Sequence, residues 1–231
     1  MLNETEGKKM KAKTIMVIDT ETADLTGAVY DFGYAICDKR GNIMDKKNWL
    51  VREIFTDAKK MMGAFYASKL FTHYGDMLES GAITIKPWHY IVKEIEFAVN
   101  CYDVDVIAAY NLAFDRRVMG ATHKMLGHTG KILPRKMDQL DIWQFACETK
   151  LSQQTYKNLA RELGWVSAAG NIRTGAEYAY RFCRGDFGFI EDHTALSDVL
   201  IEVEILAACF ATKKTIPYNK VGGAPWKIVN N

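Results

Sequence analysis

Asp19 and Glu21 stand two positions apart at the end of an apolar run, in the stretch MVIDTET over residues 16–22. Side chains of an extended segment alternate faces, so the two carboxylates project together. Like charges held that close repel each other unless something positive lies between them. A solvated strand end tolerates such a pair, and so does half of a divalent-cation site. Two further stretches bear on the choice. In NLAFD, residues 111–115, Asn111 closes a second apolar run and Asp115 follows in the first turn of a helix. In HTALSD, residues 193–198, His193 precedes a helix and Asp198 lies within its opening turns. A five-residue offset turns about 500° on a helix, so His193 can lean over the side that Asp198 faces only from the entering loop. Thr194 is the expected cap there. Four carboxylates and one imidazole thereby gather at strand ends and helix starts, the crevice where open α/β sheets bind ligands. Each motif alone is common, and a lone histidine more often serves the surface or the core. The pair Asp103 and Asp105 shares the spacing of Asp19 and Glu21, but it precedes its strand and belongs at the opposite end of the sheet.

The elements that must position these residues follow from periodicity. TIMVID (14–19) reads as a buried first strand, and YDFGYAICD (30–38) with IMDKKNWLV (43–51) as a hairpin turning at KRGN. The first three strands are therefore expected to be antiparallel. Residues 52–88 carry Met, Tyr, Phe and Lys at helix-like spacing and end in ITIKPW, which predicts a helical insertion. A helix over 89–100 starts just after Pro87, DVIAAYN (105–111) is a buried strand, and FDRRVMGATHKML is the helix after it. RKMDQLD holds a short fifth strand, followed by helices in IWQFACETK, QTYKNLARELG and TGAEYAYRFCR, and a long one over 194–213. The expectation is one α/β domain over 14–213 with a mixed five-stranded sheet flanked by helices, after a flexible lead-in over 1–13. The tail over 214–231, with Pro217, Gly222, Gly223 and Pro225, is expected to be irregular.

Composition narrows the class. The chain of 231 residues is 48% hydrophobic and 25% charged, as in an ordinary globular protein with a sizeable core. A net charge of +2 is too balanced for binding nucleic acid by bulk electrostatics, so affinity for phosphate must come from local groups or bound cations. Five scattered cysteines without a CxxC pair argue against a disulfide framework or a zinc site and for a reducing compartment. No apolar stretch of membrane-spanning length occurs, and the expected location is cytoplasmic, away from membranes.

With DTET (19–22), NLAFD (111–115) and HTALSD (193–198) in this order, the chain resembles the DEDDh class of 3′→5′ exonucleases, which includes DNA-polymerase proofreading subunits. A histidine five residues before the last aspartate marks this subtype, where the sister class has tyrosine. The resemblance spans roughly residues 14 to 212 and implies a ribonuclease-H-like fold. Two features depart from it. Ala23-Asp24-Leu25 stands where the class usually has Thr-Gly-Leu, and the 52–88 segment is longer than compact members need, looking similar to phage-encoded ones.

The resemblance implies a hydrolase acting on phosphodiester bonds with two Mg²⁺ or Mn²⁺ ions. Their ligands would be Asp19, Glu21, Asp115 and Asp198, hard oxygen donors of the kind such cations prefer. His193 would be the general base, since an ordinary imidazole titrates near pH 6.5. Asn111 and Phe114 would flank the 3′-terminal nucleotide, Thr22 would meet its sugar, and Leu25 would wedge against its base. An aromatic at Phe114's position also suits the core. Arg116, Arg117, Arg173, Arg181 and Arg184 could meet phosphates or merely solvate helix faces. The implied partners are single-stranded 3′ ends, DNA favoured, with replication or repair proteins. A ribonuclease trimming short RNA and a non-catalytic nucleic-acid-binding domain are the alternatives.

Overall fold

The apolar run that ends at Asp19 becomes a central strand because both of its faces find cover. In a computed structural model, which describes residues 13–24, 27–64, 73–212 and 215–231, this strand is β1 (Ile15–Thr22). Ile15 and Val17 are fully buried on one face, and Met16 and Ile18 on the other. β2 (Val29–Cys37) and β3 (Ile43–Val51) complete an antiparallel meander with it. Short helices α1 (Arg52–Phe55), α2 (Ala58–Met62) and α3 (Tyr74–Glu79) follow, then β4 (Thr84–Lys86) and α4 (Trp88–Cys101). After β5 (Val106–Ala109) come α5 (Leu112–Met125) and β6 (Asp138–Asp141). The remaining helices are α6 (Ile142–Ala146), α7 (Gln154–Glu162), α8 (Ala176–Arg184), α9 (Ala195–Thr212) and α10 (Trp226–Asn230).

The sheet order is β4-β3-β2-β1-β5-β6, with β1, β5 and β6 mutually parallel. This is the mixed α/β sheet, antiparallel in its first three strands and flanked by helices, that the ribonuclease-H-like expectation describes. One correction concerns strand number. Five strands were expected and six are present among the described residues, because the end of the 52–88 segment pairs in parallel with β3 through Thr84, Ile85 and Lys86. Three residues at an edge carry too little alternation to read as a strand beforehand. A second concerns the tail, expected to be irregular, which ends in α10. Asn230 fixes that helix by accepting from the Ile172 backbone N–H at 2.7 Å and donating back to its carbonyl at 3.2 Å. A third is that the helix expected over IWQFACETK is α6 running into a wider π-type turn, Cys147–Leu151.

Helices cover both sheet faces. Trp88, Ile91, Ile95 and Val99 of α4 and Leu112 and Val118 of α5 lie on the side of Met16 and Ile18. Val199, Val203 and Leu206 of α9 and Phe145 of α6 lie on the side of Ile15 and Val17. No helix among the described residues is long and apolar enough to cross a membrane.

Besides β4, side-chain hydrogen bonds tie the 52–88 segment into this frame. Glu53 accepts from the Trp88 backbone N–H at 3.0 Å, holding α1 to the start of α4. Tyr74, fully buried in α3, donates its hydroxyl proton to Asp31 of β2 at 2.7 Å. Residues 65–72, where further helix was expected, lie outside the described residues.

Candidate functional site

Asp19 pairs with Gly33 across β1 and β2, and that glycine decides what stands beside the carboxylate. A Cβ at position 33 would lie 2.8 Å from the backbone of Ala195 and Leu196. Only a residue without one lets the N-terminus of α9 settle onto β2 at this point. Asp31, two residues earlier on β2, receives the first N–H of the helix: Ala195 donates to its Oδ2 at 3.0 Å. The expected side-chain cap is thus replaced. The Thr194 hydroxyl donates instead to Asp192 at 2.9 Å, and a strand carboxylate caps the helix. Asp31 also accepts from Tyr74 and from the Asn48 amide, so one buried acid joins β2, β3, the 52–88 segment and the loop before α9. His73, beside Tyr74, lies 3.6 Å from Asp192 on the same loop.

That loop carries His193, whose φ of 55° puts it in the left-handed region that non-glycine residues seldom adopt. The imidazole is held over the site. Its Nδ1 lies 3.7 Å from Glu191 and 4.0 Å from Asp198, and ligand atoms of Glu21, His193 and Asp198 all lie within 4.8 Å of one another. Asp198 is buried on the inner face of α9. Glu21 and Thr22 end β1, with Glu21 on the face of Asp19 as their spacing requires.

Asp115 enters from the other side of the strand. Thr20, between Asp19 and Glu21, points the opposite way and donates to Asp115 at 2.9 Å in a buried contact. Asn111, which opens α5, has a φ of 78°, a left-handed conformation that asparagine tolerates better than most residues. The buried carboxylate of Asp141, at the end of the neighbouring β6, accepts from the Gln144 backbone N–H at 3.2 Å. Phe114 is half-buried, packed against the core, with the Arg117 guanidinium 5.2 Å from its ring centre. Leu25 lies outside the described residues. Asp24, at the variant position beside it, accepts from Gly27 N–H at 3.1 Å and closes the turn after β1.

Crowding sets the electrostatics. Burial, then the charges of Asp115, Glu202, Asp198 and Glu21, hold the Asp19 carboxyl well above the usual range. Its Oδ2 is covered and has no hydrogen-bond partner among the described residues. Burial pushes Asp115 up to about 7, although the Thr20 hydrogen bond pulls it back. Clustered carboxylates with raised affinity for protons and a covered, unpartnered oxygen suit a divalent cation, and all-oxygen donors match Mg²⁺ or Mn²⁺.

A stability signature follows. Native Asp115 holds its proton up to about pH 7, whereas unfolded aspartate releases it near 3.9. Between these values the native form binds more protons, so raising the pH favours unfolding. Melting in a chelator should therefore show stability falling from about pH 4 to 7, with saturating Mn²⁺ removing most of the fall. Stability in chelator that is flat or rises over this window would contradict the arrangement.

No family model matches the chain, and no curated protein matches it. Among solved structures it is similar to exonuclease X in complex with 5′ overhanging duplex DNA. The TM-score is 0.47 and the identity 17%, over 85% of this chain and 91% of that one.

The residues singled out in sequence thus lie as follows. Glu21, His193 and Asp198 come together, and the charges of Asp115 and Asp198 act on Asp19, while Thr22 ends β1, Asn111 precedes α5 and Phe114 lies in its first turn. Three contributors were not anticipated. Thr20 seats Asp115, Asp31 seats the His193 loop, and Glu202 adds a further buried carboxylate. A signal existed for Glu202, which lies four residues after Asp198 on one helix face. Of the arginines, Arg181 and Arg184 are occupied, pairing with Glu177 at 2.8 Å and Glu204 at 2.9 Å. Arg116 and Arg117 are exposed next to Asp115, Arg116 donating to the Gln139 side-chain oxygen and Arg117 lying over the Phe114 ring.

Proposed function

We propose that the chain is a DEDDh 3′→5′ exonuclease, a divalent-metal-dependent hydrolase that shortens single-stranded nucleic acid, DNA by preference, from its 3′ end. The observation that carries this reading is the meeting of Glu21, His193 and Asp198 within 4.8 Å, beside Asp19, from strands and loops far apart in sequence. Asp19, Glu21, Asp115 and Asp198 would hold two Mg²⁺ or Mn²⁺ ions. Bound there, the cations would supply Lewis-acid stabilisation of the charge that develops on the phosphodiester oxygens.

The chain's own residues do the rest. His193, one-third exposed and reaching over the acids from its loop, accepts the proton of the attacking water. Glu191, 3.7 Å from its Nδ1, orients the ring and steadies the charge it gains. Thr22, at the end of β1, meets the terminal sugar. Asn111 and Phe114 border the terminal base, where an aromatic edge accepts any base without reading sequence. Leu25, outside the described residues, is the residue that would wedge against that base. Arg116 and Arg117 stand where the strand leaves the site and can meet its phosphates. Five separate thiols suit a reducing, cytoplasmic setting, and replication or repair proteins are the partners such an activity would serve.

Because bases must arrive unpaired and end-first, linear single strands should be degraded faster than blunt duplex, and a 3′-phosphate should block the reaction. Linear and circular single strands of one sequence provide the comparison, with RNA alongside. Circles cut at a comparable rate would make the enzyme an endonuclease and remove the end pocket. RNA shortened faster than DNA would make it a ribonuclease.

A further inference from the structure

Asp198 and Glu202 are four residues apart on α9 and therefore share the face that packs on the sheet. At the next turn that face returns to apolar residues, Ile205 and Leu206. Glu202 is only 2% exposed. It lies one helical turn beyond Asp198 on that face, beneath the crevice. Its Oε2 is covered and has no hydrogen-bond partner among the described residues. The charges that bear on it most are those of Asp115, Asp198 and Glu191, and it in turn acts on Asp19. All are acidic. A buried carboxylate in such company must find a proton or a cation, since uncompensated charge in the interior is among the costliest features a fold can carry.

Ligand supply distinguishes the two ends of the acidic cluster. Glu21, Asp198 and the His193 loop crowd one end. At the other, Asp115 stands with Asp19, and one Asp115 oxygen is already engaged by Thr20. Hard divalent cations prefer about six oxygen ligands, so two carboxylates make a poor second position.

We propose that Glu202 is a fifth carboxylate ligand of the divalent-cation site, supplying its covered oxygen to the ion held on the Asp19 and Asp115 side. This rests on the nuclease reading of the site. A cation there lets Glu202 remain ionised.

The test is calorimetric titration of Mn²⁺ into the full chain and its Glu202→Gln and Glu202→Asp variants, each checked for folding by circular dichroism and melting. The parent should take up two ions. Glu202→Gln should keep the tighter one and bind the other at least 10–100-fold more weakly, the scale of loss seen when a partner of a metal ligand is removed. Glu202→Asp, which keeps the charge and guards against a misfolded amide variant, should recover part of that loss. Wild-type affinity for both ions in the folded Gln variant would make Glu202 a protonated structural acid and overturn the proposal alone. A parent chain that binds no Mn²⁺ would overturn the nuclease reading, and the proposal with it.

Discussion

Asp19→Ala, Glu21→Ala, Asp115→Ala and Asp198→Ala should each reduce hydrolysis of a single-stranded 3′ end to background while the chain stays folded. On the proposed reading, removing one ligand would dismantle the arrangement that holds the cations. The structure also predicts that the four variants differ in stability. Asp19 carries a covered oxygen without a partner amid like charges, so its loss relieves repulsion and raises the melting temperature in chelator. Asp115 is buried against Thr20, so its loss strands a hydroxyl that costs about 1–3 kcal/mol. Measuring activity and melting together separates a spent site from a broken fold. Full activity in Asp198→Ala would remove the assignment. Asp103 and Asp105 are the control pair, and their structural roles are modest: Asp103 pairs with Arg135 at 2.9 Å and Asp105 accepts from Thr14 N–H at 3.1 Å. Replacing both should cost some stability and no activity.

His193→Ala should slow hydrolysis by something like 10²–10⁴-fold, the usual contribution of a positioned base. In the parent, the rate should rise with pH through the range in which an imidazole loses its proton and then level off. In the variant that rise should disappear. The geometry admits a rival role, since His193 lies close enough to Glu21 and Asp198 to act as a ligand. Mn²⁺ titration of the variant decides between them. Retained affinity with the slow, pH-independent rate supports the base, lost affinity makes His193 a ligand, and an unchanged rate makes it a bystander.

Much of this architecture was legible because it is written in short-range periodicity. The alternation in MVIDTET specified a two-sided strand and put Asp19 and Glu21 on one face, and the apolar spacing of 89–100 specified α4 nearly to the residue. The unread parts depend on contacts that spacing does not encode. Nothing around Thr20 announces that it seats Asp115, because the partner is 95 residues away. Asp31 reads as an ordinary polar residue in a strand, yet it displaces the Thr194 hydroxyl as the cap of α9. The 52–88 segment looked like an appended helical insertion. Through Tyr74 and His73 it instead braces the loop that carries His193, and its last residues extend the sheet. Glu202 stands in the apolar run VLIEVEIL with Glu204 two residues on, and helical periodicity alone does not tell which of the two acids faces the sheet.

The central claim, that this acidic crevice removes nucleotides one at a time from a 3′ end with the help of divalent cations, is tested most directly on a 5′-labelled linear single strand. In Mg²⁺ or Mn²⁺ the purified chain should convert it into a descending ladder in which each labelled product is one nucleotide shorter than the last, and chelator should stop the ladder at once. Label released as a mononucleotide from the first moments, internal cuts at scattered positions, or a ladder that persists in chelator would contradict the account.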